Sequence, residues 1–271
     1  MKPLRRPTNR AKTTRTARIP LAVDGKEFAG RLAVVTGGSD GLGRDLVGAL
    51  VKLGADVFFC GRTRQKGVAV ARALGRRAHF VPADLSDNAA ARAFVQEAAA
   101  FKGRIDYLVN NAAIDPRIEF EQATVEDFDR LVAINLRPYF VVTQAALPAL
   151  RRGAGRAIVN VATTNYLLGL SPFTLYNASK AGGIGFTRSL ARELGPSGIR
   201  VNCISPGWIM TEKQLQEHAS VQDRAELVEA QALKFLLTEE HVTPLTLFLL
   251  SGCAGGITGQ NVVVDGGKFM Q

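Results

Sequence analysis

Beyond residue 25, short apolar runs alternate with longer stretches in which apolar residues recur at helical spacing. The runs at 32–36, 56–60, 78–81, 105–110, 157–162, 200–204 and 261–265 have strand length and are rich in Val and Ile. The stretches at 42–53, 65–75, 88–101, 124–151 and 176–194 carry the 3.6-residue period of helices. Continuous apolar strands alternating with helices imply a parallel sheet covered on both faces. The expected fold is therefore α/β, a doubly wound three-layer parallel sheet of about seven strands. Residues 210–236 break the rhythm: they are polar, helical in composition and sit just before the last helix and strand. They read as a mobile substrate lid, with a surface helical hairpin as the alternative.

Composition changes this picture little. With 271 residues, 46% of them hydrophobic, the chain suffices for one such domain, expected over 26–271. No apolar run approaches the roughly 20 residues of a membrane span. The net charge of +10 suggests a polyanion partner until it is located: Lys2, Arg5, Arg6, Arg10, Lys12, Arg15 and Arg18 supply seven of those charges. Residues 1–25 thus read as a disordered basic arm, with a transit segment or a polyanion-binding arm as alternatives. Nucleic acid is not the expected partner of the rest. Cys60, Cys203 and Cys253 are few, odd in number and set among apolar neighbours, as expected of reduced thiols in a cytoplasmic protein. His79, His218 and His241 are scattered, and no metal site is expected.

The first strand-to-helix turn reads Thr36-Gly37-Gly38-Ser39-Asp40-Gly41-Leu42-Gly43. Glycines there let the backbone turn tightly and approach a pyrophosphate, whose charge is met by the helix N-terminus. The spacing is TGxxxGxG, and with it the chain resembles the short-chain dehydrogenase/reductase family from residue 28 to 267. The resemblance implies a Rossmann fold and a nicotinamide cofactor. Asp84-Leu85 resembles the family's adenine-contacting pair, and Asn110-Asn111-Ala112-Ala113 its NNAG turn, with Ala113 in place of glycine. Pro206-Gly207-Trp208-Ile209-Met210-Thr211 resembles the PGxxxT segment at the nicotinamide, and Asp265-Gly266-Gly267 the closing turn. Thr36, Gly37, Ser39, Gly41, Leu42, Gly43, Asn111, Pro206, Gly207, Ile209 and Thr211 are the cofactor-binding residues this implies. At the end of the second strand, where an acid would bind the ribose of NAD, the chain has Cys60-Gly61-Arg62-Thr63-Arg64. Arg62 can offer a charge-assisted fork to a 2′-phosphate, so NADP(H) is expected and NAD(H) is the alternative. Asp40 speaks for the alternative, since relatives that use NADP often carry a base there.

Tyr176-Asn177-Ala178-Ser179-Lys180 puts a phenol and an ammonium at i and i+4 on one helix face. A free tyrosine has a pKa near 10, and a nearby ammonium is expected to lower it. In the family resembled, this pair moves the proton that accompanies hydride transfer, and the lysine also holds the nicotinamide ribose. A serine thirteen residues before the tyrosine orients the substrate oxygen; here Thr163 stands there, or Thr164 if the register slips by one. Asn135 matches the asparagine that holds a proton-relay water.

The segments 110–117, 135–137 and 206–214 are similar to those of the sugar 1-dehydrogenase branch, which implies an aldose or polyol substrate. Asp115, Tyr166, Trp208 and Gln214 are the candidate substrate contacts besides Thr163, and Arg117 is a further polar group suited to hydroxyls. Reduction of a 3-oxoacyl or small-ketone substrate is the alternative. A non-catalytic nucleotide-binding scaffold whose arm binds a polyanion is an alternative of another class. The resemblance also implies a homotetramer built through the 124–151 and 176–194 helices.

Overall fold

The computed structural model describes residues 25–270. The arm expected at 1–25 lies, apart from Gly25, outside them. Seven strands, β1 (Leu32–Val35), β2 (Asp56–Gly61), β3 (Ala78–Pro82), β4 (Tyr107–Asn110), β5 (Ala157–Val161), β6 (Arg200–Pro206) and β7 (Asn261–Val264), form one sheet. All pairs are parallel and the order is β3-β2-β1-β4-β5-β6-β7. The doubly wound sheet expected from the pattern is the fold observed. The order reverses between β1 and β4, and the crevice beyond the carboxyl ends of strands at such a point is where ligands bind.

Alternate residues of each strand feed opposite layers. Leu32, Val34, Leu108, Ile158 and Val201 pack on α3 (Asn88–Lys102), α5 (Arg137–Leu150) and α7 (Thr174–Leu194). Ala33, Val35, Val57, Phe59, Val109 and Val159 pack on α1 (Gly41–Lys52), α2 (Arg64–Leu74) and α10 (Glu239–Leu250). The strands are thus buried on both faces, which is why they read as unbroken apolar runs. A buried polar ladder ties the layers across the sheet: Asn110 donates to Thr143 (3.1 Å) and Asn160 (2.8 Å), and Asn160 donates to Thr187 (2.8 Å).

The 124–151 stretch is not one uniform helix. α4 (Val125–Leu131) runs into a π-helical turn, Val132–Leu136, before α5 continues. Such a turn carries one extra residue and marks functional positions in many helices; here it holds Asn135. The 210–236 segment folds into two short helices, α8 (Glu212–Glu217) and α9 (Val221–Ala230), with α6 (Asn165–Leu168) facing them across the cleft mouth. Met210, Ala219 and Leu227 form a small core of their own beneath α8 and α9, joined by Trp208 and Leu236. Among the described residues no helix is long and apolar enough to cross a membrane.

Candidate active site

A cleft of about 710 Å³ opens at the carboxyl ends of the strands. Its floor at one end is the glycine turn. Gly37 and Gly41 have φ of +67° and +45°, which side-chain-bearing residues rarely adopt. A Cβ at residue 43 would overlap the Gly37 carbonyl oxygen and lie 2.6 Å from Asn111 Nδ2. Asn111 in turn donates to the carbonyls of Thr36 (3.0 Å) and Gly37 (3.2 Å). Backbone therefore forms this wall, at the start of α1, where the helix dipole favours a phosphate. The cradle fits a dinucleotide: its shape depends on the missing Cβ atoms, and its length runs from Asp84 and Leu85 to Tyr176.

Of the residues expected at the cofactor, Gly37, Ser39, Gly41, Leu42, Gly43, Arg62, Asp84, Leu85, Asn111, Pro206, Gly207, Ile209 and Thr211 all line this cleft. Thr36 does not. It is buried at 2% exposure, and its hydroxyl accepts the backbone N–H groups of Asn111 (2.9 Å) and Ala112 (3.1 Å), so it braces the loop from behind.

At the other end, Tyr176 and Lys180 rise from the first turns of α7. Thr163 is the side chain that the Tyr176 hydroxyl meets in the cleft, and both residues line it. Thr164 turns away: its hydroxyl and its N–H both go to the Pro206 carbonyl, at 3.3 and 2.9 Å. Lys180 is 2% exposed and donates to the Val161 carbonyl (2.6 Å) and to Tyr139 (3.4 Å). Burial lowers its pKa from 10.5 to about 8, against the opposing fields of Cys203 and Asp115.

The tyrosine departs from the expectation that its pKa falls. Burial pushes it above 10, the Asp115 carboxylate adds to this, and the neighbouring Thr163 hydroxyl only partly offsets both. The ammonium does not lower it, because Lys180, at about 8, loses its proton before the phenol ionises; its amine donates to Val161 and Tyr139. In this state the site holds a protonated acid.

Asn135 is fully buried, and its amide is committed within the protein. It accepts from Ile114 N (2.8 Å) and donates to Ile114 O (2.9 Å) and Ser179 Oγ (3.2 Å). It thus fastens the loop after β4 to α7, and neither amide hydrogen is directed to Lys180. Tyr166 is a second departure: it lies outside the cleft lining, packed beside Ala162, Ile184 and Cys203, with its hydroxyl accepting from Asn261 (3.2 Å). Asp115, Thr163, Trp208 and Gln214 do line the cleft. Trp208 Nε1 donates to Gln214 (2.8 Å), and Gln214 Nε2 donates to Asp115 (3.3 Å), a polar chain across the cleft mouth.

The sequence reading missed Lys66, Tyr139, Leu168, Leu170 and Phe173. All but Tyr139 line the cleft. Phe173 meets the Tyr176 ring edge-on at 6.0 Å and Arg117 stands 5.7 Å from its face. Lys66, one turn beyond Arg62, and Tyr139, one turn beyond Asn135, were within reach of a helical-spacing argument. Leu168 ends the four-residue α6, and Leu170 and Phe173 stand on the loop after it, all too short for a period to betray them.

Comparison with known proteins agrees with this geometry. The family profile described as Enoyl-(Acyl carrier protein) reductase matches residues 37–268. The probable galactose dehydrogenase GalD of Rhizobium meliloti (strain 1021) is 40% identical over 243 residues, covering 88% of this chain and 95% of that protein. D-xylose 1-dehydrogenase of Caulobacter vibrioides is 35% identical over 241 residues, with 88% and 95% covered. The crystal structure of a protein of Sinorhizobium meliloti 1021, assigned as a short-chain alcohol dehydrogenase, superposes with a TM-score of 0.81 at 32% identity, covering 89% of this chain and 98% of that one. The chain belongs to the short-chain dehydrogenase/reductase family. It is an NAD(P)-dependent oxidoreductase that interconverts alcohols and carbonyls.

Proposed function

We propose that the protein is a cytoplasmic sugar or polyol dehydrogenase that prefers NADP(H), formed by residues 26–271 and working as a homotetramer. The observation that carries the site is the placing of Tyr176 and Thr163 together, beside a buried lysine, at the end of a dinucleotide-shaped cleft. Gly37, Ser39, Gly41, Gly43, Asn111 and Thr211 would hold the phosphates and riboses, Asp84 and Leu85 the adenine, and Pro206, Gly207 and Ile209 the nicotinamide end. When bound, the cofactor supplies or accepts the hydride. Tyr176 gives its hydroxyl proton to the substrate oxygen in reduction and takes it back in oxidation. Thr163 fixes that oxygen; its methyl narrows the pocket and limits its rotamers. Lys180 would hold the nicotinamide ribose and pass protons on, with Asn135 holding the loop that a relay water would share.

The sugar assignment draws on the names of the relatives and on the Trp208–Gln214–Asp115 chain, which offers donors and an acceptor beside the apolar surfaces of Trp208 and Phe173. A panel of aldoses, polyols and ketones with each cofactor, followed by nicotinamide absorbance, tests it. Turnover only of 3-oxoacyl or small-ketone substrates would replace the sugar reading. For the site, Tyr176→Phe is expected to lower kcat by roughly 10²–10⁴-fold with cofactor affinity changed less than about twofold. A phenylalanine variant that keeps most of its kcat refutes it.

A further inference from the structure

The adenosine-ribose end of the cleft holds an ion pair that the motifs do not account for. Lys66, in the first turn of α2, reaches across to Asp40 in the glycine turn, Nζ to Oδ2 2.6 Å. Both residues line the cleft beside Ser39, Gly61, Arg62 and Thr63. The two loops are pressed together, since a Cβ at residue 61 would overlap Ser39 Oγ. A group held over Ser39 and Gly61 therefore meets both ends of the pair. Asp40 is fixed: its other oxygen accepts the Gly41 N–H (2.9 Å) and caps α1. Lys66 is not fixed; its side chain is 58% exposed, and besides Asp40 it feels Glu217 and Glu212 of α8. Exposed pairs of this kind are weak and readily exchanged. α2 also opens with Arg64 and Lys66 and no acid in its first turn, so positive charge is gathered there with Asp40 as its nearest counter-charge.

We infer that Lys66 is a second ligand for a 2′-phosphate beside Arg62, and that Asp40 is the counter-ion which holds the lysine when that phosphate is missing and moderates the preference for the phosphorylated cofactor. This rests on the reading that an NADP-type dinucleotide occupies the cleft. A ribose 2′-phosphate dianion draws Lys66 from Asp40, exchanging one weak ion pair for a stronger one, while the carboxylate keeps its Gly41 bond. With a 2′-hydroxyl ligand the pair stays closed, and the acid expected after β2 for ribose recognition is replaced by Asp40 from the opposite loop.

Calorimetric titration of the full chain with adenosine 2′,5′-bisphosphate and with 5′-AMP isolates the 2′-phosphate without turnover. The wild type is expected to favour the bisphosphate, and Arg62→Ala to erase most of that preference. Lys66→Gln is expected to weaken the bisphosphate about tenfold, as for loss of one charge-assisted contact, and to leave 5′-AMP within about twofold. Asp40→Asn, which keeps the helix cap, is expected to tighten the bisphosphate several-fold. Equal affinity of the wild type for both probes overturns the NADP reading itself. A preference abolished by Arg62→Ala but untouched by Lys66→Gln overturns the role of Lys66 alone. An unchanged bisphosphate affinity in Asp40→Asn overturns the counter-ion.

Discussion

Replacing Lys180 by methionine keeps the length and apolar stem of the side chain and removes its charge. The ammonium is 2% exposed, and burial brings its pKa from 10.5 to about 8. At about 1.4 kcal/mol per pKa unit, the folded protein carries a cost of about 3 kcal/mol for holding that charge at neutral pH. Methionine forfeits the bonds to Val161 and Tyr139, yet the Val161 carbonyl still accepts from Tyr139 at 2.6 Å, so no buried acceptor is orphaned. Allowing about 1 kcal/mol for the lost hydrogen bonding, the cofactor-free variant is expected to be more stable by about 2 kcal/mol at pH 7. That corresponds to a rise in Tm of about 4–8 °C for a chain of this size, together with loss of activity. Between pH 8 and 10.5 the unfolded lysine binds a proton that the folded one lacks, so wild-type stability rises with pH across that window. The variant's advantage is full below pH 8 and fades above it. Urea and thermal unfolding of both proteins without cofactor at pH 7 and at pH 9.5 test this. A methionine variant less stable than wild type at pH 7, or an advantage that does not shrink with pH, would refute the idea that the site strains to hold its lysine.

Two further outcomes follow from the packing. Gly43→Ala forces the glycine turn off Gly37 and Asn111; it is expected to cost about 1–3 kcal/mol of stability and at least tenfold in cofactor affinity by calorimetry, and normal affinity would show that the turn is not the cradle. Asp106 is fully buried and accepts from Leu32 N (2.9 Å) and Ala154 N (2.7 Å) beside Arg104 (3.3 Å) and Arg31 (3.7 Å). Burial works against its charge, but these partners outweigh it and hold its pKa below 3.8. Asp106→Asn is therefore expected to cost about 3–5 kcal/mol in urea unfolding at pH 7. The deficit is full above pH 3.8 and narrows as pH falls through the depressed value, because the wild-type carboxylate then protonates as well.

The fold was legible because burial on both faces leaves its mark in composition: strands such as Leu32–Val35 and Ala157–Val161 are almost wholly apolar. The tyrosine and lysine were legible because helical spacing and a preceding strand can be read from order alone. What escaped is what depends on direction. No pattern says that Thr164 bonds to Pro206, that Tyr166 bonds to Asn261, or that Lys180 bonds to Val161. The π-helical turn escaped for a related reason, since one extra residue in a long helix barely alters the apolar period, yet it is what carries Asn135 onto Ile114 and Ser179.

The polar segment that broke the rhythm of the sequence touches both ends of the cleft. Gly207 leaves β6 against Asp265, where a Cβ would lie 2.8 Å from the Asp265 Cβ, so the chain is pinned as it departs. Thr211 caps α8 by accepting the Gln214 N–H (3.2 Å), and its methyl would lie 3.3 Å from a Cβ on Gly41 of the cofactor turn. Glu212 pairs with Arg44 at 3.8 Å on that same side. From the same short helix Gln214 reaches Trp208 and Asp115 on the substrate side. These side-chain pairs join the small apolar core of Met210, Ala219 and Leu227 in holding the segment at the cleft. Such contacts are individually weak and exchangeable. Within six residues α8 thus carries a contact to Arg44 on the side of the cofactor turn and a contact to Asp115 on the opposite side of the cleft mouth.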